Sequence, residues 1–477
     1  MFALIKYLLY LSLWLVSAII AGFFAYFTLT QGTDYRLLLD RPDLITPEQI
    51  IAAAIPVIIP MALILLFAPL FQISPKRNWF SSFLRLLLVI LMAGFIGYQL
   101  LDGRKVYQLY TQKDLIVRQP EAGKAAFLLT SLHNGSLGPI PTTAPMEEAN
   151  YARQIETHRR DIETSWQTIA PYRLVIDQLA ELSALPYPAQ PIEIVTSVGG
   201  AGNLDNLCRI YLAHAVLQIR LGNREQGFEE LLTIQRVARN ALAGANRIDD
   251  KMTWTMALHN TIRTAYRIVL DEEPRYEEMR QLAQASPRLT RQETSLRAVW
   301  LNQYLDGIDR LDRPATQVLD DFLASRSPQK PLLLLMAPPW LFEASYRFTC
   351  QKNRTAADLR SFWEPVIEQA PANPAAFRQA WASRTAFGDG PPLRNLGGWY
   401  FHRPPDLRQE EKRVDDLYRT SDIFAAFLTN KLEFGQDIGA HLEGGHRPVA
   451  TENQRIIGAG ADGALGTPDD IVLEPMF

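Results

Sequence analysis

The chain has 477 residues, more than one compact core usually serves, so the sequence predicts at least two structural units. Its formal net charge of -3 gives no basic excess, which argues against a dedicated nucleic-acid-binding protein. Two cysteines, Cys208 and Cys350, are too few for a disulfide framework and lack the spacing of a zinc or redox motif. They fit two buried thiols better than one disulfide bridge.

Three long stretches near the start of the chain carry almost no charge. Residues 7–29 include no charged side chain. As a helix this stretch would measure about 35 Å, against about 30 Å for a hydrocarbon core. The stretch 50–71 contains three prolines, which a membrane helix tolerates, and 79–101 has only Arg85, near one end. We therefore predict three transmembrane helices, about 7–29, 50–71 and 79–101, that form an anchor over 1–103 with the lipid bilayer as a partner.

The lysines and arginines beside these stretches bear on orientation. Equal numbers fall on the two sides of the bilayer, but Lys76 and Arg77 occupy a tight turn, Ser74–Asn78, that must lie at the interface. We therefore favour a cytoplasmic N-terminus, with the soluble part of the chain outside the cytoplasm.

The sequence that follows the anchor has the periodicity of a helical protein. Apolar residues from Leu204 to Ile219 recur at intervals of three and four, which predicts one helix with Asn203 as its N-cap. Gly222-Asn223 tolerates left-handed geometry and would end that helix. A second apolar face, from Phe228 to Ala238, completes an αα-hairpin like one unit of a tetratricopeptide array. No second copy recurs at a fixed period, so a single hairpin is favoured over an array.

The remaining segments complete an all-α assignment. Further helices are predicted at Glu147–Ile169, Asp250–Leu270, Arg291–Leu311 and Arg408–Leu432, whereas Ile192–Thr196 and the extreme C-terminus resemble strands. The predicted organisation is a juxtamembrane helical segment with Pro/Gly-rich linkers at 104–202, a helical domain at 203–435 and an irregular tail with short strands and turns at 436–477.

Few residues suggest chemistry. The sequence has no nucleophile elbow, phosphate-binding loop or dinucleotide fingerprint, so catalytic residues stay unassigned and no bound cofactor is predicted apart from the metal considered next. His214 lies among apolar neighbours on its predicted helix, which fits a hydrogen-bonded, partly buried histidine better than a base. His441, Glu443 and His446 have a metal-like spacing, but the glycines between them favour a surface loop.

The tail holds the one candidate metal site. Residues 458–471 combine turn-forming glycines with the carboxylates of Asp462, Asp469 and Asp470. Oxygen-rich, glycine-bent loops suit calcium, although the ligand alternation of an EF-hand is missing. We expect a tight polar turn between two short strands, in which Asp462 and Asp469 cap backbone amides, and keep calcium at the three carboxylates as the alternative.

The tail sequence Gly-Ala-Asp-Gly-x-x-Gly-Thr-Pro-Asp-Asp-Ile, residues 460–471, resembles the C-terminal segments of bacterial pseudopilin-like proteins and of uncharacterised bacterial membrane-anchored helical proteins. The latter are also similar in the hairpin Leu204–Ala241, in Lys352–Thr355, in the turn Arg394–Gly397 and in a final long helix that ends at Glu433–Gly435. The resemblance covers about residues 200–477. Pseudopilins have a single N-terminal helix with a processed leader, and Ile456-Ile457 replaces their usual Tyr-Ser. The resemblance implies a multi-pass protein of the bacterial inner membrane and implies no activity.

Two classes of function remain. The first is a non-enzymatic, membrane-anchored helical scaffold or docking protein of the bacterial cell envelope, with protein partners at the membrane. The alternative is a membrane-bound hydrolase or lipid-active enzyme whose site lies where the soluble domain meets the bilayer, around Trp340, Trp399 and Tyr400.

Overall fold

A computed structural model of the chain describes residues 157–182, 200–318, 350–383 and 404–434 continuously, and between 110 and 473 some further positions, among them Tyr346, His402 and short strand segments. The three predicted transmembrane helices and the strand-like segment Ile192–Thr196 lie outside the described residues, as do His441, Glu443 and His446. Within the described part, no helix is both long and apolar enough to cross a lipid bilayer.

The described residues fall in two compact units. The larger unit draws on Tyr110–Gln303, Pro365–Gln379 and Asp406–Phe477, and the smaller includes Tyr304–Glu364 and Ala380–Pro405. The longer described helices are α1 (Arg159–Thr168), α2 (Ala170–Ala180), α3 (Gly200–Arg220), α4 (Arg224–Gly244), α5 (Ile248–Asp271), α6 (Tyr276–Ala285), α7 (Arg297–Asp312), α8 (Lys352–Gln369), α9 (Ala376–Ser383) and α10 (Arg408–Phe434). The strands are β1 (Val449–Glu452), β2 (Arg455–Gly458) and β3 (Ile471–Leu473). The described part is therefore mostly helical, which confirms the all-α assignment at this level.

The predicted αα-hairpin is present as α3 and α4. Gly222 has a φ of +89° and ends α3 in the left-handed conformation that glycine adopts without strain. The helices approach closely at Gly227, where an added Cβ would lie 2.6 Å from the carbonyl oxygen of Ala215. One detail of the prediction is wrong, because α3 begins at Gly200 and Asn203 is therefore inside the helix instead of capping it.

The helices after the hairpin do not repeat it. Helix α5 packs against both α3 and α4, but α6 packs against α4 and α10, and α10 also contacts α5. Helix α10 thus occupies the place that the second helix of a repeated hairpin would take beside α5. This arrangement explains why the hairpin has no second copy at a fixed period.

The other predicted helices differ from the structure mainly at their ends. Helices α5 and α10 match Asp250–Leu270 and Arg408–Leu432 within two residues at each end. Helix α7 starts six residues later than predicted, because 291–294 form a turn. The helix predicted at Glu147–Ile169 is present as α1, which starts at Arg159 because 157–158 form a turn, while 147–154 lie outside the described residues. Helix α2 follows α1 at once, and its second residue, Pro171, cannot donate a backbone hydrogen bond to the turn before it.

The tail contains a small antiparallel sheet with the strand order β1-β2-β3. Ile457 of β2 pairs with Val472 of β3, which sets the register of the second strand pair. The sheet packs against α10, and an added Cβ at Gly458 would lie 2.5 Å from the Cδ1 atom of Ile423. Buried Ile456, Ile471 and Leu473 join the core of the larger unit, so the tail is part of that core.

The described part of the smaller unit has an aromatic core of its own. The ring of Phe362 on α8 meets Trp363 edge-on at 5.0 Å and Trp381 edge-on at 6.2 Å between ring centroids. Leu359, one turn before these rings, faces Gly307 of α7, where an added Cβ would lie 3.4 Å from a leucine methyl carbon. Residues of α7, α8 and α9 that are far apart in sequence therefore share one apolar interior.

Candidate functional site

Two helices, α1 and α3, hold a buried set of rings, Trp166, Tyr211 and His214, that we call the aromatic stack. The Trp166 ring of α1 lies parallel to the His214 ring of α3, with ring centroids 4.0 Å apart. Tyr211, one turn before His214, meets Trp166 edge-on at 4.8 Å. From α2, the Arg173 guanidinium lies 4.1 Å from the centroid of the Trp166 ring, which is a cation–π contact.

His214 belongs to a directed chain of hydrogen bonds between α3 and α4. Its Nδ1 is 2.7 Å from the Glu230 carboxylate, which can only accept, so Nδ1 carries the proton and donates. The Gln218 side-chain amide donates to His214 Nε2 at 3.0 Å, and the Asn223 side-chain amide donates to Gln218 Oε1 at 2.8 Å. This confirms the expectation of a hydrogen-bonded histidine, and it shows that His214 is more deeply buried than the sequence indicated.

Carboxylates gather at the surface beside the aromatic stack. Asp177 lies on α2, Glu181 immediately follows the end of α2, and Glu229 and Glu230 lie on α4. We call these four residues the acidic rim. Partial burial raises the pKa of Asp177, as do the charges of Glu229, Glu181 and Glu230, against the opposing effect of Arg173.

The hydroxyl group of Tyr211 in the aromatic stack is buried. The residue is 2% exposed, and its Oη has no hydrogen-bond partner among the groups that the structure describes. Burial raises the pKa of Tyr211, and the charges of Asp177 and Glu230 raise it further, so the phenol stays protonated. The aromatic stack therefore contains a buried hydroxyl group without a described hydrogen-bond partner.

Elsewhere in the larger unit, buried charged groups join helices to one another. Lys251 of α5 is 0% exposed, and its Nζ donates to the carbonyl oxygen of Leu242 at 2.7 Å and to that of Glu293 at 3.0 Å. Because Leu242 lies in the last turn of α4, the ammonium caps that helix end. Burial lowers the pKa of Lys251 to about 7, against the opposing charge of Glu293.

Arginine–glutamate pairs connect α4 to α6 and to the turn after it. At one end Arg224 contacts the Glu278 carboxylate through Nη2 at 2.9 Å, and the hydrogen bond lowers the pKa of Glu278. At the other end Arg239 contacts Glu293 through Nη2 at 3.0 Å. Both pairs join residues 54 positions apart, so the two segments are fixed at two points along their length.

A third joint connects α10 to α9. The Glu411 carboxylate is 2% exposed and accepts hydrogen bonds from the backbone N–H groups of Phe377 at 2.9 Å and Arg378 at 3.0 Å. It therefore caps the N-terminus of α9, where unpaired amides and the helix dipole favour an anion. Burial nevertheless raises the pKa of Glu411.

Beside this cap lies a cleft of about 330 Å³, counting space open to solvent, lined in part by Arg291, Trp300, Asn373, Glu411 and Asp415. Asp415 contacts Arg291 at 2.9 Å and Arg419 at 2.6 Å, while Arg291 also lies 3.7 Å from the ring centroid of Tyr418. The charged groups of the cleft are thus engaged with each other or with α9, which leaves them little capacity for a ligand.

In the smaller unit, the Tyr346 hydroxyl is 2.6 Å from His402 Nε2, and both residues are buried. Burial raises the pKa of Tyr346, as do the charge and hydrogen bond of Cys350. Burial also lowers the pKa of His402 to about 3, helped by Arg310 and Lys352. A general base works best with a pKa near the working pH, so His402 is a weak base.

A carboxylate caps backbone amides in the tail turn, and the residue that does so in the described part is Asp470. Asp470 Oδ2 accepts from the backbone N–H groups of Gly466 at 2.7 Å and Thr467 at 3.2 Å, and Oδ1 interacts with the Thr467 hydroxyl at 3.3 Å. Asp462 and Asp469 lie outside the described residues. Among the residues that are described, no three His, Cys, Asp or Glu side chains are arranged to hold a metal ion. Calcium at the three aspartates stays a prediction.

Cys208 and Cys350 are both buried and are not joined in a disulfide bridge, as the sequence indicated. Burial raises the pKa of Cys208 to about 12, with a further contribution from the charge of Asp205, so this thiol is unreactive at neutral pH.

Sequence reasoning missed the aromatic stack and the buried lysine. Trp166 precedes the hairpin by a long segment, and nothing in the spacing connects it to His214. Lys251 did leave a signal, since it stands three and seven residues before Trp254 and Leu258 on the buried face of α5. A lone charge on an apolar helix face indicates a buried, hydrogen-bonded group.

Compared with protein-family models, with curated proteins and with solved structures, the chain gives no match.

Proposed function

We propose that this chain is a membrane-anchored helical scaffold or docking protein of the bacterial cell envelope, with the lipid bilayer and membrane-associated proteins as partners. The uncharged stretches 7–29, 50–71 and 79–101 support an anchor in the inner membrane. The balance of lysine and arginine around Ser74–Asn78 supports a soluble part outside the cytoplasm.

The observation that supports the docking role is that buried charged side chains connect helices to one another. Lys251 donates to backbone carbonyl groups, Glu411 accepts from backbone amide groups, and Glu293 is paired with Arg239. A catalytic group must remain available to a substrate, whereas these groups are committed to the fold. A framework fixed in this way offers a preorganised surface, which lowers the entropic cost of binding a partner.

The docking role can be tested by crosslinking in native membranes. A tagged full-length chain should retain a specific protein in near-equimolar amount, and Arg224→Met should reduce that yield because it releases α6 from α4. Arg280→Met is the matched control, since Arg280 is 54% exposed and its ion-pair partner among the described residues is the neighbouring Glu277 of its own helix. Recovery of no protein above the level of an unrelated tagged membrane protein would contradict the docking role.

The membrane anchor has a separate test. After high-speed centrifugation of a detergent-free lysate, the full-length chain should be in the pellet and should resist extraction by high salt. Its appearance in the supernatant would contradict the anchor.

The competing proposal is a hydrolase or lipid-active enzyme with its site around Trp340, Trp399 and Tyr400, which lie outside the described residues. The nearest described ionisable group along the chain is His402, whose low pKa makes it a weak base. Replacement of His402 by glutamine tests whether an enzyme site here depends on this residue. Loss of cellular function with the fold retained would favour the enzyme.

A further inference from the structure

The turn between α6 and α7, residues 291–294, is attached to the rest of the larger unit by side chains of other helices. From α4, Arg239 donates to the Pro287 carbonyl oxygen at 2.6 Å and to the Glu293 carboxylate at 3.0 Å. From α5, Lys251 Nζ donates to the Glu293 carbonyl oxygen at 3.0 Å. Because Arg291 of this turn lines the cleft beside α9, these attachments also position one wall of that cleft.

Lys251 is an unusual group for such an attachment. Its side chain is 0% exposed, and the other acceptor of its Nζ, at 2.7 Å, is the carbonyl oxygen of Leu242 at the end of α4. Both of its described acceptors are uncharged, while the Glu293 carboxylate is engaged with Arg239 and with the Thr290 amide at 2.7 Å. A fully buried ammonium group that is held by backbone carbonyl groups favours loss of its proton.

The charges around Lys251 leave burial as the dominant influence on its pKa. Burial lowers the pKa to about 7, and Glu293 is the charge that opposes it. Asp249 and Asp250 precede Lys251 on α5 itself. The charged groups that α3, α4, α10 and the 291–294 turn bring to this end of α5 are paired with other side chains, namely Arg209 with Asp205, Arg239 with Glu293 and Arg288 with Asp422.

We propose that Lys251 is a pH-sensitive latch, which holds the 291–294 turn closed against the end of α4 in alkaline solution and releases it more often as the pH falls towards neutrality. The latch is a local device, and the rest of the larger unit stays folded when the turn opens. Opening moves Arg291 and Thr294 away from the cleft, so the shape of the cleft follows the pH of the solution. The inference goes beyond the docking role and does not depend on it.

The direction of the effect follows from proton binding. In the open turn the Lys251 amine meets water, and its pKa returns to about 10.4. In the closed turn the amine holds a proton only below about pH 7. Between these values the open form binds about one more proton than the closed form, so the open fraction should rise about tenfold for each unit by which the pH falls. Below about pH 7 both forms carry the proton, and the open fraction should level off.

Hydrogen exchange of the purified full-length chain, followed by mass spectrometry between about pH 6 and pH 9, tests the latch. The opening constant of a peptide that covers the 291–294 turn, corrected for the intrinsic exchange rate, should fall about tenfold per unit above about pH 7 and stay constant below it. A peptide from α1, which packs on α2 and α3, is the internal reference and should show no such change. An equal change in α1 would mean that Lys251 titrates only when the whole unit unfolds, which would overturn the latch.

Lys251→Met removes the titrating group and keeps an apolar stem of similar length, so the opening constant of the turn should become independent of pH. Lys412→Met, at an exposed position on α10, is the matched control and should keep the wild-type dependence. A dependence that persists in Lys251→Met, or that is missing in the wild-type chain, would overturn the latch.

Glu293→Gln tests the latch independently, should Lys251→Met fail to fold. The Glu293 charge raises the pKa of Lys251, so its removal should extend the fall of the opening constant to below about pH 7, where the wild-type value is constant. Loss of the Arg239 pair alone would raise the opening constant equally at every pH, because arginine keeps its proton throughout. A Glu293→Gln profile of wild-type shape would therefore overturn the latch.

Discussion

The Nζ of Lys251 donates a hydrogen bond to the carbonyl oxygen of Leu242, 2.7 Å away, in a part of the core where the lysine is 0% exposed. The contact satisfies a carbonyl at the end of α4, but it brings an amine that is charged in water into a region without water. Burial disfavours the charged form of the amine, so its pKa is lowered to about 7.

This lowered pKa makes stability depend on pH in alkaline solution. The unfolded chain keeps the Lys251 proton up to a pH of about 10.4, whereas the folded chain releases it near 7. Between these values the unfolded state binds more protons, so the free energy of unfolding should rise as the pH increases. Urea denaturation of Lys251→Met at several pH values should give a flatter profile, while Lys412→Met, at an exposed position, should keep the wild-type slope.

The carboxylate of Glu411 should contribute more to the free energy of unfolding than that of its neighbour Glu410. Glu411→Gln leaves one oxygen for two backbone N–H groups of α9 and removes the negative charge, so we expect a loss of about 1–3 kcal/mol in the free energy of unfolding. Glu410→Gln is the control, since Glu410 Oε2 is buried without a described partner and loses no hydrogen bond there. Similar losses in the two variants would contradict the cap.

His402 should destabilise the fold in mild acid. Its pKa is about 3 in the folded chain and about 6.5 in the unfolded one, so the unfolded state takes up the proton first as the pH falls. The free energy of unfolding should therefore decrease from about pH 6.5 towards pH 3. His402→Gln, which keeps a hydrogen-bond acceptor for Tyr346 but cannot become charged, should reduce that decrease. His158→Gln, at a solvent-accessible position before α1, should not.

Two glycines inside helices should respond to alanine with opposite signs. An added Cβ at Gly227 would lie 2.6 Å from the backbone oxygen of Ala215, so Gly227→Ala should cost about 1–3 kcal/mol. At Gly307 the nearest atom is a Leu359 methyl carbon at 3.4 Å, so the better helix propensity of alanine should add up to about 1 kcal/mol. Thermal denaturation of both variants checks the pair, and stabilisation by Gly227→Ala would contradict the close approach of α3 and α4.

The parts of the fold that could be predicted are those fixed by nearby residues. The apolar spacing from Leu204 to Ile219 and the glycine at 222 were enough for the α3–α4 hairpin. The place of α10 could not be predicted in this way, because it depends on contacts such as that between the Leu289 amide and the Ser421 hydroxyl, 132 positions apart. No local pattern encodes a pairing over that distance.

The candidate site, too, could be predicted only where it depends on residues that are near in the sequence. His214 could be recognised as a buried, satisfied histidine from its neighbours in the helix. Its ring partner Trp166 and its acceptor Glu230 belong to other helices, and their approach depends on how α1, α3 and α4 pack. The Tyr211 hydroxyl could be identified only from the positions of the groups around it.

The position of α10 between α5 and α6 has a consequence during synthesis. Helices α1 to α6 are synthesised well before Arg408, the first residue of α10. The apolar sides of α5 and α6 that pack against α10 therefore stay exposed until α10 has been made. A chain truncated before Arg408 would keep these apolar surfaces exposed and would be prone to aggregate. Synthesis of α10 is therefore the step that completes the core of the larger unit.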